Sequence, residues 1–131
     1  MPRAADVAAL VRRTMMAPEV SAYTHLIADC LGVAAAQLRD TGLLTGLLIA
    51  GAGAAGFATV GAPVVRKLPN DSIAAVLLLE GCHIAVHTFP ERELLLLDVL
   101  APATHDARKV VDVFARRLTA REIRSESHSR G

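Results

Sequence analysis

The stretch at 77–99, LLLEGCHIAVHTFPERELLLLDV, decides the fold. Short aliphatic runs are separated by Gly- and Pro-containing breaks, as is typical of antiparallel strands joined by tight turns. With its flanking residues the stretch predicts three strands, over 72–80, 83–89 and 93–100. Cys82, His83 and His87 lie in the middle of this aliphatic segment, so they are candidates for chemistry as well as for packing.

The residues on either side extend this pattern into a complete domain. The further predicted elements are a strand over 22–32, a helix over 34–55 with a break near Asp40 and a cap at Thr41, a strand over 57–68 bent at Gly61–Pro63, a helix over 104–119, and a short final strand before a polar tail. The order β-α-β-β-β-β-α-β predicts the α+β class: a two-layer sandwich, with a mostly antiparallel sheet and two helices on one face. Residues 21–131 are expected to form a single domain. An N-terminal extension, 1–20, precedes it and carries a short amphipathic helix that ends before Pro18.

Composition excludes several classes of function. The 131 residues carry 14 Lys+Arg and 13 Asp+Glu, with no Trp, one Tyr and three Phe, so neither charge nor stacking favours nucleic acid. The most apolar stretch, 42–65, contains six glycines and a proline, which argues against a membrane span. No signal peptide is recognisable, and we expect a cytoplasmic protein whose two cysteines, Cys30 and Cys82, are free thiols.

Three motifs can be explained either by packing or by a function. GAGAAG at 51–56 matches a dinucleotide-binding pattern, but it ends a predicted helix instead of beginning one, and tight helix packing explains it. The cysteines and histidines show no recurrent metal-ligand spacing, and His83 and His87 would lie about 13 Å apart on a regular strand, so we predict no metal. Cys82 could be a nucleophile activated by a histidine, or simply a buried residue of a core strand.

A resemblance to a known family favours a functional interpretation of this segment. CHIAVHTFPE at 82–91 resembles the processing-site motif of the bacterial S-adenosylmethionine decarboxylases, roughly E-S-H-L-S-I-H-T-W-P-E. HLIADCLG at 25–32 resembles the family's first strand, H-L-I-A-D-x-Y-G, and LLLLDVLAP at 94–102 resembles its AAVDVFTCG strand. The likeness covers 21–131 and fits the predicted order of elements.

The resemblance implies an activity and a cofactor made from the chain itself. In this family a proenzyme cleaves itself before a serine, which becomes a pyruvoyl group whose ketone acts as the electron sink while CO2 leaves. Here cleavage would fall between Gly81 and Cys82, and Cys82 would become the pyruvoyl. His87 matches the processing histidine. Glu91 matches the ligand of the ribose hydroxyls, and the remaining substrate-binding positions are Phe89, Ile84 and Leu68. The resemblance also implies a homodimer, S-adenosylmethionine or another amino acid as substrate, and no external cofactor.

Several family positions are changed in this sequence. Cys82 replaces the serine, Gly81 replaces the preceding glutamate, and Ala74 replaces a serine that assists processing. Pro102 replaces the cysteine that donates a proton during decarboxylation, so His83, His105 or water would have to supply that proton. A thiol can still take part in an acyl shift and in β-elimination, so the first two changes do not forbid processing.

Three hypotheses follow from these residues. The first is a pyruvoyl-dependent carboxy-lyase of the polyamine type. The second is an uncleaved enzyme that uses the Cys82 thiol with His83 or His87 as acid and base. The third is a non-catalytic relative that binds a ligand or a partner.

Overall fold

The computed structural model describes residues 3–6 and 21–131. The elements in chain order are β1 Tyr23–Leu31, α1 Ala35–Leu38, α2 Thr41–Ala55, β2 Val64–Lys67, β3 Ile73–Leu79, β4 Cys82–Phe89, a 3-10 turn Pro90–Arg92, β5 Leu94–Pro102, α3 Arg108–Leu118 and β6 Glu122–Arg130. The helix predicted in the extension lies outside the described residues, except at 4–6, which are helical.

The six strands form one sheet in the order β2-β3-β4-β5-β1-β6, and every neighbouring pair is antiparallel. Helices α2 and α3 pack side by side over one face of this sheet. Their contact residues and the inward strand residues form one continuous apolar core. The predicted α+β two-layer sandwich is therefore confirmed, with the predicted helix over 34–55 divided into α1 and α2.

The other face of the sheet carries no helix among the described residues, and we call it the open face. Alternation along each strand decides which side chains point to it, because successive side chains of a strand lie on opposite faces. On the four central strands the open face consists of Tyr23, His25, Ile27, Asp29, Ala74, Val76, Leu78, His83, Ala85, His87, Phe89, Leu94, Leu96, Asp98, Leu100 and Pro102.

The glycines of GAGAAG serve helix packing. The motif lies in the C-terminal half of α2, where a Cβ on Gly51 would come within 3.1 Å of a Val110 methyl group on α3. Gly56 then ends the helix in the left-handed conformation, with φ of 72°. The motif is therefore explained by close helix contact and termination, far from the helix N-terminus that a phosphate group would need.

Two local predictions are corrected by the structure. The N-cap of α2 is Asp40 and not Thr41, because the Leu43 amide donates to Asp40 Oδ1 at 3.0 Å. The strand predicted over 57–68 shrinks to the four residues of β2, and only an isolated bridge from Thr59 to Leu79 precedes it. The left-handed Gly61 and the following Ala-Pro pair interrupt the ladder, because Pro63 has no amide to donate.

The predicted polar tail is also corrected. Glu122–Arg130 forms a nine-residue edge strand that pairs with β1 over its whole length. Apart from Ile123 its side chains are exposed on both faces, so no alternation of polar and apolar residues marks it in the sequence. Charged residues on an edge strand also oppose pairing with further chains.

Candidate functional site

The sequence-predicted cleavage position lies in a tight hairpin turn. Glu80 and Gly81 connect β3 to β4, and Leu79 pairs with Cys82 on either side of the turn. Gly81 is exposed and has φ of 75°. No neighbouring atom lies within 4 Å of a Cβ added there. The Gly81–Cys82 peptide bond is thus the first bond of β4, at a turn whose conformation favours glycine.

The thiol of Cys82 points from this turn into the core. Cys82 is 6% exposed and belongs to the apolar cluster beneath the helices. Burial raises the pKa of the Cys82 thiol above its ordinary value, so the thiol is neutral near pH 7. The second cysteine, Cys30, is also a free thiol, as expected from the sequence.

His83 and His87 lie on the open face, opposite to the side that holds the Cys82 thiol. His83 is beside Leu100 of β5, and His87 is beside Ala74 of β3, four residues further along β4. Within one chain the structure therefore does not bring Cys82 together with either histidine. The two histidines lie four residues apart on β4, which is about 13 Å in a regular strand.

Three of the four predicted substrate-binding residues lie at the far end of β4. Phe89 is the last residue of the strand and Glu91 follows it, and both are exposed. Leu68 is exposed beside the start of β3. Seven residue steps separate Cys82 from Phe89, which is about 23 Å in a regular strand. Ile84 is fully buried under the helices, so in this chain it contacts the core and not the open face.

Thr88, the neighbour of His87 in the resembling motif, has a structural role. Its hydroxyl accepts a hydrogen bond from the Ile73 amide and donates one to the Leu38 carbonyl, each at 2.8 Å. The side chain is 1% exposed. Thr88 thus ties the end of α1 and the start of β3 to the strand that carries His87.

A polar cluster on the open face was not identified from the sequence. Nε2 of His25 and Nε2 of His83 both lie at hydrogen-bond distance from the same oxygen, Oδ1 of Asp98, at 2.9 and 3.1 Å. Arg130 Nη1 lies 3.4 Å from Nδ1 of His25. The strand register creates this cluster, because His25 and His83 flank Leu100 from the two neighbouring strands, and Asp98 is two residues before Leu100.

A small cavity lies at the cleavage end of the sheet. It has a volume of about 150 Å³, and its wall includes Phe57, Glu80, Pro102 and His105. The His105 ring packs against Phe57 at 5.4 Å between centroids, and its Nδ1 is 3.1 Å from the Thr104 hydroxyl. Pro102 and His105 thus line the same cavity as Glu80, which is one residue before Gly81.

No cluster of three or more metal-binding side chains was found in the part of the chain that the structure describes. In the same residues, no helix is long and apolar enough to cross a membrane. The longest helix within 3–6 and 21–131 is α2, which has 15 residues.

Comparisons with known proteins agree with this architecture. The crystal structure of the adenosylmethionine decarboxylase from Aquifex aeolicus VF5 superposes with a TM-score of 0.76 at 25% sequence identity, over 85% of this chain and 92% of that chain. Comparison with curated proteins gives no match. The sequence profile of the family described as S-adenosylmethionine decarboxylase matches residues 24–131. With that match over most of its length, the chain belongs to the S-adenosylmethionine decarboxylase family.

Proposed function

We propose that this protein is a self-cleaving, pyruvoyl-dependent decarboxylase of S-adenosylmethionine or a related amino acid, and that it acts as a homodimer. The observation that carries the proposal is the position of Gly81–Cys82 at the hairpin turn between β3 and β4. A glycine at φ of 75°, with free space around it, precedes a residue whose β-carbon bears a possible leaving group. Family membership supplies the reaction class.

The residues at the turn fit the chemistry of cleavage. Sγ of Cys82 attacks the carbonyl carbon of Gly81, the C–N bond breaks, and the amide nitrogen takes the thiol proton, which leaves a thioester. Removal of the Cys82 α-proton then expels the Gly81 thiocarboxylate from the β-carbon. Hydrolysis of the resulting enamine releases ammonia and leaves a ketone at residue 82.

A cysteine at this position gives the upstream fragment a distinctive end. Because the nucleophile is sulfur, the 1–81 chain ends in a thiocarboxylate where a serine would leave a carboxylate. The 82–131 chain begins with the ketone group, which supplies an electron sink for decarboxylation once it has formed. Both ends can be recognised by mass.

The substrate has to be bound by residues that lie far from residue 82 in the same chain. Glu91 offers an exposed carboxylate to ribose hydroxyls, and Phe89 and Leu68 offer apolar surface to an adenine ring. These residues are about 23 Å from the cleavage end of β4. One chain therefore does not assemble the whole site.

Two copies with their open faces together and their β4 strands antiparallel would bring the substrate-binding residues of one copy close to residue 82 of the other. The far end of one copy would then lie against the cleavage end of the other. Exposed apolar side chains on the open face, Ile27, Leu78 and Phe89 among them, would be covered by the same pairing. The dimer thus accounts for both the split site and the uncovered face.

The dimer is tested by a matched pair of substitutions. Leu78→Asp places a charge on the open face at a side chain that is 52% exposed, and Ile49→Asp does the same on the outer side of α2 at 55% exposed. Sedimentation analysis should show a dimer for the wild type and for Ile49→Asp, and a monomer for Leu78→Asp. A monomeric wild type, or a dimer for both variants, would refute this arrangement.

Cleavage is tested by intact mass spectrometry of the purified protein. The wild type should give chains 1–81 and 82–131, the first with a sulfur in place of one terminal oxygen and the second without an α-amino group. Cys82→Ala should stay as one chain. Cys30→Ala removes the other free thiol and should cleave normally, which makes it the matched control.

The outcomes separate the three hypotheses. A single wild-type chain with decarboxylase activity would contradict the proposal. An uncleaved chain whose other activity is lost in Cys82→Ala would favour the thiol enzyme, although the opposite placement of Cys82 and the histidines disfavours it. Ligand binding that is unchanged in Cys82→Ala, without turnover, would favour a non-catalytic relative.

A further inference from the structure

The polar cluster of His25, His83, Asp98 and Arg130 has a defined hydrogen-bond direction. A guanidinium can only donate, so the contact at 3.4 Å makes His25 Nδ1 an acceptor. The proton that His25 donates to Asp98 at 2.9 Å is then the one on Nε2.

His83 differs from His25 in what its other nitrogen meets. Its Nε2 donates to the same Asp98 oxygen at 3.1 Å. Among the described residues, none forms a hydrogen bond with His83 Nδ1. The side chain is partly exposed on the open face, so Nδ1 is the nitrogen of the cluster that is free to exchange a proton with a bound molecule.

His83 lies close to Pro102, the residue that replaces the family's proton-donating cysteine. His83 is paired with Leu100, and Pro102 lies two residues beyond Leu100 on the same face of β5. Diagonal neighbours of this kind lie about 7–8 Å apart between backbones, closer between side chains. His83 is also the first residue after the one that would carry the ketone.

We infer that His83 is the proton donor of the decarboxylation step and that Asp98 and His25 are its positioning residues; this rests on the proposed function. For this step His83 is the imidazolium, with a proton on each ring nitrogen. When the substrate carbon loses CO2, the electron pair of the broken C–C bond takes the proton from His83 Nδ1. The neutral ring keeps its Nε2 proton, hydrogen-bonded to Asp98, and Nδ1 recovers a proton from solvent. Asp98 holds the ring by Nε2, and His25, aligned by Arg130, fixes Asp98 from the other side. All three positions lie in the stretches that resemble the family's motifs.

A glutamine substitution distinguishes donor from positioning residue. The glutamine amide reaches the place of Nε2 and can donate to Asp98, but it has no group equivalent to the acid Nδ1. His83→Gln should therefore keep the hydrogen bond and lose proton transfer, which lowers turnover of S-adenosylmethionine about 100-fold or more with little change in KM. His25→Gln should stay within about 3-fold of the wild type, whereas His25→Leu should lose about 10-fold.

Ring nitrogen NMR gives a second readout that does not depend on turnover. The neutral form of the His83 ring, which is left after proton transfer, should carry its proton on Nε2 in the wild type and in His25→Gln. This preference should disappear in Asp98→Asn. His128→Gln is the matched control, because His128 lies beside His25 on β6 and is outside the cluster. It should change neither turnover nor the His83 signals.

The results that overturn the inference differ from those that overturn the function. A wild-type chain that stays uncleaved would contradict both the proposed function and the role of His83. A cleaved His83→Gln protein that turns over substrate at the wild-type rate would contradict only the role of His83. Loss of turnover in His105→Gln alone would assign the proton to the end cavity. A neutral His83 ring with its proton on Nδ1 instead of Nε2 would contradict the hydrogen-bond direction.

Discussion

Replacing Thr88 by valine should destabilise the protein strongly although the side chain keeps its shape. The hydroxyl is the partner of the Ile73 amide and of the Leu38 carbonyl, each at 2.8 Å, in a position 1% exposed. Valine leaves both backbone groups buried without a partner, at about 1–3 kcal/mol each. The expected loss is therefore about 2–6 kcal/mol of the free energy of unfolding, which is a large part of the roughly 5–15 kcal/mol of a typical domain.

Urea unfolding at one fixed protein concentration measures this loss, since a fixed concentration keeps any effect of association constant. Thr88→Ser is the matched control: it keeps the hydroxyl and removes one methyl group, for about 1 kcal/mol. A valine variant no less stable than the serine variant would show that the two hydrogen bonds do not stabilise the junction of α1, β3 and β4. Cleavage of the surviving folded protein should be normal in both variants, because Thr88 lies six residues from Cys82, about 20 Å along a regular strand.

Further predictions concern backbone conformation and pH. Gly32 and Gly81 have nearly equal φ, 71° and 75°, but a Cβ on Gly32 would overlap the Arg121 side chain whereas Gly81 faces free space. Gly81→Ala should cost about 1–2 kcal/mol from left-handed strain alone, and Gly32→Ala about 1 kcal/mol more; equal losses in denaturation would contradict this. Burial, and secondarily the charge of Asp29, raises the pKa of the Cys30 thiol from 9.0 to about 11. The stability this gives is complete below pH 9 and is lost as the pH rises towards 11, so the difference in unfolding free energy between the wild type and Cys30→Ala should shrink over that interval and stay constant below it.

Much of the fold could be predicted from local patterns. Alternation along the strand predicted over 22–32 puts Leu26, Ala28 and Cys30 on one face, and in the structure all three are buried. Gly56 ends α2 as expected, and the apolar stripe of α3 faces the core. The final strand was predicted as short, whereas β6 extends through the predicted polar tail. Its side chains are exposed on both faces, so backbone pairing with β1 holds the added residues without an apolar signal.

The candidate site, like the fold, was predicted in part from the sequence. The sequence by itself determined that the Gly81–Cys82 bond lies at a turn and that His83 and His87 share a face. Both are consequences of local geometry. The opposite orientation of Cys82 was not predicted, because the predicted strand began at 83 whereas β4 begins at Cys82.

Only the tertiary structure decided which distant residues meet. Strand order and register place His25 and His83 on either side of β5 and direct both to Asp98, across separations of 73 and 15 residues. They also hold Phe89 and Glu91 at the opposite end of β4 from Cys82. No local pattern encodes such pairings, because register depends on which strands become neighbours, and that choice is made by burial of the whole core.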